Sequence, residues 1–276
     1  MESLFRCPIC REPLTREERR YLCPRNHSFD LAAAGHTHLL PSNKMHSQNP
    51  GDDKAMAAAR NRFLSGGYYA PLAWRLSELT LRYTGEAPVV YDSGCGEGYY
   101  TAELLRALQS AGRSPRMAGI DISKECLRRA AKRAREIEFA VASAYDLPFA
   151  DESGDFLLNC FSPLALDEFR RVLRPGGVFA YVVPGARHLY EMKEILYDAP
   201  YENEEKETPY EGFSYLGIES VDERIHLPDP DTIRALFTMT PYFWKTPKEG
   251  RERLEAREEL DVTISFRVHL FERVDS

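Results

Sequence analysis

Twelve residues, Val89 to Tyr100 (VVYDSGCGEGYY), constrain this chain more than any other stretch. An apolar run ends in Asp92 and breaks at Gly94, Gly96 and Gly98. Beyond them Leu104, Leu105 and Leu108 mark one face of a helix. The pattern predicts a strand, a tight turn and a helix, with the turn letting backbone approach a ligand too closely for side chains to fit. The glycines are spaced GxGxG, not the GxGxxG that cradles a pyrophosphate. Asp92, at the strand's carboxyl end, suits a cation better than a phosphate. S-adenosylmethionine (SAM) carries an ammonium and a sulfonium and no phosphate, so it fits ahead of a dinucleotide. A sheet of this shape that binds nothing is the bland alternative.

A second strand, Met117 to Ile122, strengthens the first. It ends in Asp121, 29 residues after Asp92, and Ser123 is placed to cap the following helix. An acid at this strand tip is positioned for both hydroxyls of a ribose. Two strand-end acids around one glycine turn rarely arise by chance. A third strand is expected over Ile137–Val141, and the loop after it, beginning with Ala142 and Ser143, would flank the adenine of SAM. A fourth strand over Asp155–Phe161 puts Ser162 at its carboxyl end. Arg174-Pro175-Gly176-Gly177 leads to a fifth over Val178–Val183, and His188 follows on the same ligand-binding edge. Near the end, Val262, Ile264, Phe266, Val268 and Leu270 alternate with polar residues, which predicts a half-buried antiparallel strand inserted last into the sheet.

The amino-terminal end has a different logic. Cys7, Cys10, Cys23 and His27 are spaced C-x2-C-x12-C-x3-H. Two knuckles bringing four such ligands together match structural zinc. A redox CxxC is the competing reading, but it belongs at a strand-to-helix junction, and Arg11-Glu12-Pro13 follows here. All four coordination positions are filled by protein, so the expected zinc is structural, in a module that should fold only with its metal. His36 and His38 are read as a strand or a basic edge. The other cysteines, Cys95, Cys126 and Cys160, read as small apolar residues. The expected organisation is a zinc-binding module over 1–40, a linker and helical segment over 41–84, and a catalytic α/β domain over 85–276. Within the second part, Asp52 or Asp53 would cap a helix reaching Leu64, and Tyr68-Tyr69 would either close over a ligand or pack on the core.

With 43% hydrophobic and 29% charged residues the chain reads as an ordinary soluble protein. No run of 18 apolar residues offers a membrane span, and the first residues lack a secretory layout, so the expected location is the cytoplasm. The net charge of −7 is unevenly spread. Residues 1–84 hold 12 Lys/Arg against 8 Asp/Glu, while the remainder holds 24 against 35. A polyanion would therefore meet the zinc-bearing end.

Taken together, CPIC, the C-x3-H knuckle, NPGD, the Gly-Tyr-Tyr segment, DSGCGEGYY, LPF, RPGG, PGARHL and MTPYFW make the chain resemble the RlmA family along nearly its whole length. These are bacterial 23S rRNA guanine-N1 methyltransferases, including the tylosin-resistance type. The resemblance implies a class I SAM-dependent methyltransferase (Rossmann-like) α/β sheet with an amino-terminal zinc ribbon. It implies cofactor contacts at Tyr69, Gly96, Glu97 and His188, and zinc ligands at Cys7, Cys10, Cys23 and His27. It also implies a guanine target in one hairpin of domain II of 23S rRNA, and a homodimer. Two departures from the family pattern are the HTHLL string and Ser93. Methyl transfer to guanine N1 needs the base unpaired and its proton removed. Ser162, Asp167 and His188 are the candidates near the fourth strand's end. A small-molecule SAM methyltransferase with an accessory zinc module is one rival, and a nonenzymatic zinc RNA-binding protein is another.

Overall fold

The computed structural model describes residues 2–41, 51 and 53–274, so most of the expected 41–53 loop, with Asp52, lies outside the described residues. Four short strands open the chain: β1 (Glu2–Arg6), β2 (Pro13–Arg16), β3 (Arg20–Leu22) and β4 (Ser28–Asp30). They pair antiparallel in chain order, which is the ribbon around the cysteine knuckles. A two-residue strand, β5 (Thr37–His38), then leaves the ribbon and joins the large sheet.

Helix α1 (Lys54–Ser65) starts where the Asp53 side chain accepts the Met56 amide at 2.8 Å. Helix α2 (Ala70–Tyr83) has proline in its first turn, where the missing N–H costs nothing. Next come β6 (Val89–Ser93), α3 (Tyr99–Ser110), β7 (Arg116–Asp121), α4 (Lys124–Arg133) and β8 (Glu138–Val141). β9 (Gly154–Cys160), α5 (Leu166–Val172), β10 (Leu173–Pro184) and α6 (Tyr190–Leu196) complete the parallel part. The carboxyl-terminal portion holds β11 (Phe213–Leu227), α7 (Pro230–Thr238), α8 (Tyr242–Lys245), α9 (Lys248–Glu255) and β12 (Leu260–Arg273).

The large sheet has eight strands in the order β11-β12-β10-β9-β6-β7-β8-β5. The pairs from β10 to β5 are parallel, and β12 runs antiparallel to both β10 and β11. β6 has β7 on one side and β9 on the other, so the winding reverses there and a crevice opens at the carboxyl ends of β6 and β9. The last strand was expected to be half-buried. It carries buried residues on both faces, with Ser265, His269 and Phe271 nearly as hidden as Phe266, because Phe179, Tyr210 and Tyr215 pack over Phe271, and Tyr215 and Asp222 of β11 bond to His269 and Ser265. The sequence reading did not assign β11, a strand whose exposed and partly buried residues alternate.

Strand periodicity divides the core. Val90, Met117, Phe139, Phe156, Val182 and Phe266 belong to the side packed by α1 to α4 and α7. Tyr91, Ala118, Ala140, Leu157 and Phe179 belong to the other side, where α5 and the zinc ribbon lie. Tyr91 stacks on Phe149 at 3.9 Å between centroids, and Phe149 on Phe5 of β1 at 5.9 Å. The Arg6 amide donates to the Pro148 carbonyl at 2.7 Å, and Glu138 of β8 accepts from both Ser3 and Tyr21 hydroxyls. The ribbon, too small to have a core of its own, shares that of the sheet.

Candidate functional site

In the ribbon, the ligand atoms of Cys7, Cys10, Cys23 and His27 all lie within 4.8 Å of one another. Cys10 Sγ and Cys23 Sγ are 3.8 Å apart, and His27 Nδ1 is 3.5 Å from Cys7 Sγ and 3.3 Å from Cys23 Sγ. A zinc tetrahedron with bonds of about 2.3 Å to sulfur and 2.0 Å to nitrogen has edges of roughly 3.8 and 3.5 Å. The four residues therefore fit one zinc through His27 Nδ1, with every coordination position taken by protein. His38 lies in β5, the strand alternative of the sequence reading.

The second site is a cavity of about 640 Å³ at the crevice of the large sheet. Its floor is the β6–α3 turn, where Gly94, Gly96 and Gly98 all have positive φ. They serve different ends. A Cβ on Gly98 would stand 2.9 Å from the Ala130 Cβ, so this glycine lets α3 meet α4. A Cβ on Gly94 would collide with Ser162. At Gly96 (φ +55°) a Cβ would meet no atom within 4 Å, so here the open space belongs to a ligand.

Asp92 and Asp121 both line this cavity. Asp92 is 2% exposed, its Oδ2 accepts the Thr101 hydroxyl at 2.5 Å, and its Oδ1 is buried without a partner among the described residues. Burial raises its pKa to about 7, against the Thr101 hydrogen bond, with a smaller push from Asp121. An unpaired buried carboxylate oxygen beside a cavity is a place for a cationic group. Asp121 accepts the Gly96 amide at 2.9 Å and the Ser123 amide at 2.7 Å, so it holds the turn and the start of α4 in one geometry. Ser123 also caps α4 by accepting the Cys126 amide. Glu97 is 1% exposed; Arg133 of α4 donates to its Oε1 at 2.7 Å, and Asn61 of α1 also supports its carboxylate. Arg133, on the basic face of α4, thus backs Glu97 from behind the cavity wall.

His188 and Tyr69 close the opposite side. His188 Nδ1 accepts the Ser265 amide at 3.2 Å. Burial, aided by the charge of Lys193, pushes its pKa down to about 3, so the ring is neutral at pH 7. The hydrogen-bond pattern then places its proton on Nε2, 3.4 Å from the Tyr69 hydroxyl. Tyr69 sits edge-on against Phe63 and Phe266 at 5.0 and 4.9 Å, so it both packs and faces the cavity.

Three sequence-derived candidates change standing. Asp167 is exposed in the first turn of α5 and does not line the cavity, because its carboxylate complements the helix start instead. Ser143 lies outside the cavity wall; its hydroxyl accepts the Tyr145 amide at 3.2 Å and closes the turn after β8. Both ring nitrogens of His188 are engaged, which removes it as a general base. Ser162 does face the cavity. Sequence reasoning missed Phe161, Tyr99 and Tyr100, and assigned no role to Met239–Tyr242. The last segment arrives from α7 and α8, and only the MTPYFW string signalled it. Asn203 joins through an otherwise irregular acidic loop, pinned where buried Lys193 Nζ donates to Tyr201 O and Asn203 Oδ1.

A glycine turn and two strand-end acids at the switch point of this mixed sheet define a class I SAM-dependent methyltransferase, here with a structural zinc ribbon. Residues 5–48 match the model for the RlmA amino-terminal zinc ribbon and residues 90–177 that for a methyltransferase domain. The chain is 32% identical over 277 residues to the 23S rRNA (guanine(748)-N(1))-methyltransferase of Streptomyces fradiae, covering 96% of this chain and 95% of that protein. It is 31% identical over 271 residues to YxjB of Bacillus subtilis, covering 95% and 94% respectively. The solved YcgJ protein of Bacillus subtilis shares the fold at a TM-score of 0.50 and 15% identity, over 74% of this chain and 98% of that one. The chain belongs to the RlmA family of 23S rRNA (guanine-N1)-methyltransferases.

Proposed function

We propose that this enzyme transfers the methyl group of SAM to N1 of a guanine in a hairpin of domain II of 23S rRNA, and that it works in the cytoplasm. The observation that carries the reading is the Asp92 Oδ1 without a partner among the described residues, beside the open space at Gly96, in a cavity that Phe161 and Ser162 also line. Bound SAM supplies a methyl group already activated by its sulfonium. Asp92 is assigned to the ammonium, Asp121 to the ribose hydroxyls, and Gly96, Glu97, Tyr69 and His188 to the cofactor's walls. The His188–Tyr69 contact leaves the tyrosine O–H able to donate into the cavity. Ser162 is assigned to orienting the guanine edge while the N1 proton passes to water. Most of the acceleration then comes from alignment against a methyl group that is already activated.

The ribbon is assigned to RNA docking. Arg19 and Arg20 are exposed at its β2–β3 turn, although Arg20 is partly neutralised by Glu17 at 2.6 Å. Because the ribbon shares its core with the sheet, it would present the RNA to the cavity at a fixed geometry. Among the described residues no helix is long and apolar enough to cross a membrane. A homodimer, implied by the family likeness, is checked by light scattering.

The test is reverse transcription through unmodified 23S rRNA after incubation with enzyme and SAM. A methyl on N1 blocks pairing and stops the polymerase at one guanine in domain II. No stop, or methyl transfer to small phenols or quinones without RNA, overturns the reading.

A further inference from the structure

Phe161 stands at the carboxyl end of β9, where the chain leaves the sheet, and breaks two rules of its residue type. Its φ is +55°, a left-handed backbone that bulky residues avoid. The residue is also 45% exposed, although burial is the ordinary fate of phenylalanine. The backbone is held by its amide, which donates to the Val182 carbonyl at 3.3 Å. One edge of the ring is steadied by Phe266, with centroids 5.6 Å apart. Phe266 in turn packs on Tyr69 and His188, so the ring belongs to one aromatic group with the cofactor wall. The next residue, Ser162, touches the space above Gly94, and both Phe161 and Ser162 line the cavity. A large apolar ring is thus held at a left-handed position beside the glycine turn, with much of its surface uncovered. Backbone strain of this kind collects at functional sites.

We propose that Phe161 is the platform on which the target guanine stacks when it is turned out of the RNA, a positioning role that rests on the functional reading above. A purine is flat, and an unpaired base entering an enzyme pocket is gripped by stacking as well as through its Watson–Crick edge. A ring at this step lies beside the methyl-donor site and next to Ser162, so one contact sets both the plane and the depth of the base. Met239, Pro241 and Tyr242, from the carboxyl-terminal segment, line the same cavity and limit how far the base can tilt.

The test compares Phe161→Asn with Phe161→Tyr in the full-length, zinc-loaded protein. Asparagine tolerates the left-handed backbone but offers no ring face; tyrosine keeps the ring. Melting temperature, SAM affinity by calorimetry, and kcat and KM on an rRNA hairpin transcript are measured for each. Phe161→Asn is expected to keep SAM affinity within about twofold and to lose on the order of ten- to a hundredfold in kcat/KM. Phe161→Tyr is expected to stay within about threefold of the unmodified enzyme. Near-normal kcat/KM in Phe161→Asn overturns the proposal, as does an equal loss in Phe161→Tyr. Collapse of melting temperature together with SAM affinity in Phe161→Asn also overturns it, because the ring is then structural. An unmodified enzyme that leaves guanine N1 untouched overturns the functional reading itself, and this proposal with it.

Discussion

The Tyr69 hydroxyl lies 3.4 Å from His188 Nε2, although 119 positions separate them in the chain. Tyr69 precedes α2 and His188 follows β10; Phe266 of β12 packs against both rings. The contact ties the amino-terminal helical segment to the far side of the sheet. It also decides the chemistry of the histidine, whose other nitrogen is spent on the Ser265 amide.

A neutral, buried histidine has a consequence for acid stability. Its folded pKa, about 3, lies below the ordinary value of 6.5, so its stabilising contribution is present above pH 6.5 and is lost as pH falls toward 3. Replacing it by asparagine should remove that dependence. Urea unfolding at pH 7 and pH 4.5 should show the unmodified protein losing about 2 kcal/mol more than His188→Asn between the two values. Equal losses would mean that His188 is already protonated in the folded protein at pH 4.5.

Asp92 works in the opposite sense. Its folded pKa is raised from 3.8 to about 7, so its contribution to stability is full below pH 3.8 and lost as pH rises through about 7. Asp92→Asn should therefore be more stable than the unmodified protein at pH 8, by on the order of 1–3 kcal/mol. The same variant should bind SAM at least tenfold more weakly, on the scale of one charge-assisted hydrogen bond. SAM affinity of the unmodified protein should fall between pH 8 and pH 6, as Asp92 takes up a proton. Calorimetry in two buffers of different ionisation enthalpy reads the released proton directly; the assignment fails if none is released at pH 6.

The glycine turn offers a paired comparison. Gly98→Ala drives a Cβ into Ala130 at 2.9 Å and should cost roughly 2–3 kcal/mol of stability. Gly96→Ala meets only open space and left-handed backbone strain of about 1–2 kcal/mol, so it should fold better than Gly98→Ala. Yet Gly96→Ala should be the poorer SAM binder of the two. Thermal melts and SAM titrations would contradict the assignment if the ranking came out reversed.

Metal removal should be felt well beyond the ribbon. Metal analysis is expected to give one zinc per chain, and Cys23→Ser should abolish it. Because Phe5 and Tyr21 complete the core around Phe149 and Tyr91, the whole protein's melting temperature should fall by on the order of 10 °C. A zinc-free protein with an unchanged melting curve would mean that the ribbon contributes nothing to the sheet.

Local pattern was enough for part of this molecule. The order of apolar runs and glycines between Val89 and Val183 announces five strands and the β6–α3 turn, because neighbouring residues decide backbone conformation there. The spacing of Cys7, Cys10, Cys23 and His27 announces the zinc site for the same reason: each half is a local knuckle. Other features depend on which distant segments touch. Asp167 and Ser143 lie close in sequence to the crevice but do not line it, which one-dimensional spacing cannot reveal. The protonation of His188 and Asp92 is a matter of burial, set by residues scattered over the chain. The exposure of Phe161, the buried residues on both faces of β12, and the arrival of Met239–Tyr242 at the cavity were decided by tertiary packing alone. None of these is coded by neighbouring residues; each is fixed when apolar faces from remote segments close on one another and leave a few polar atoms facing the cavity.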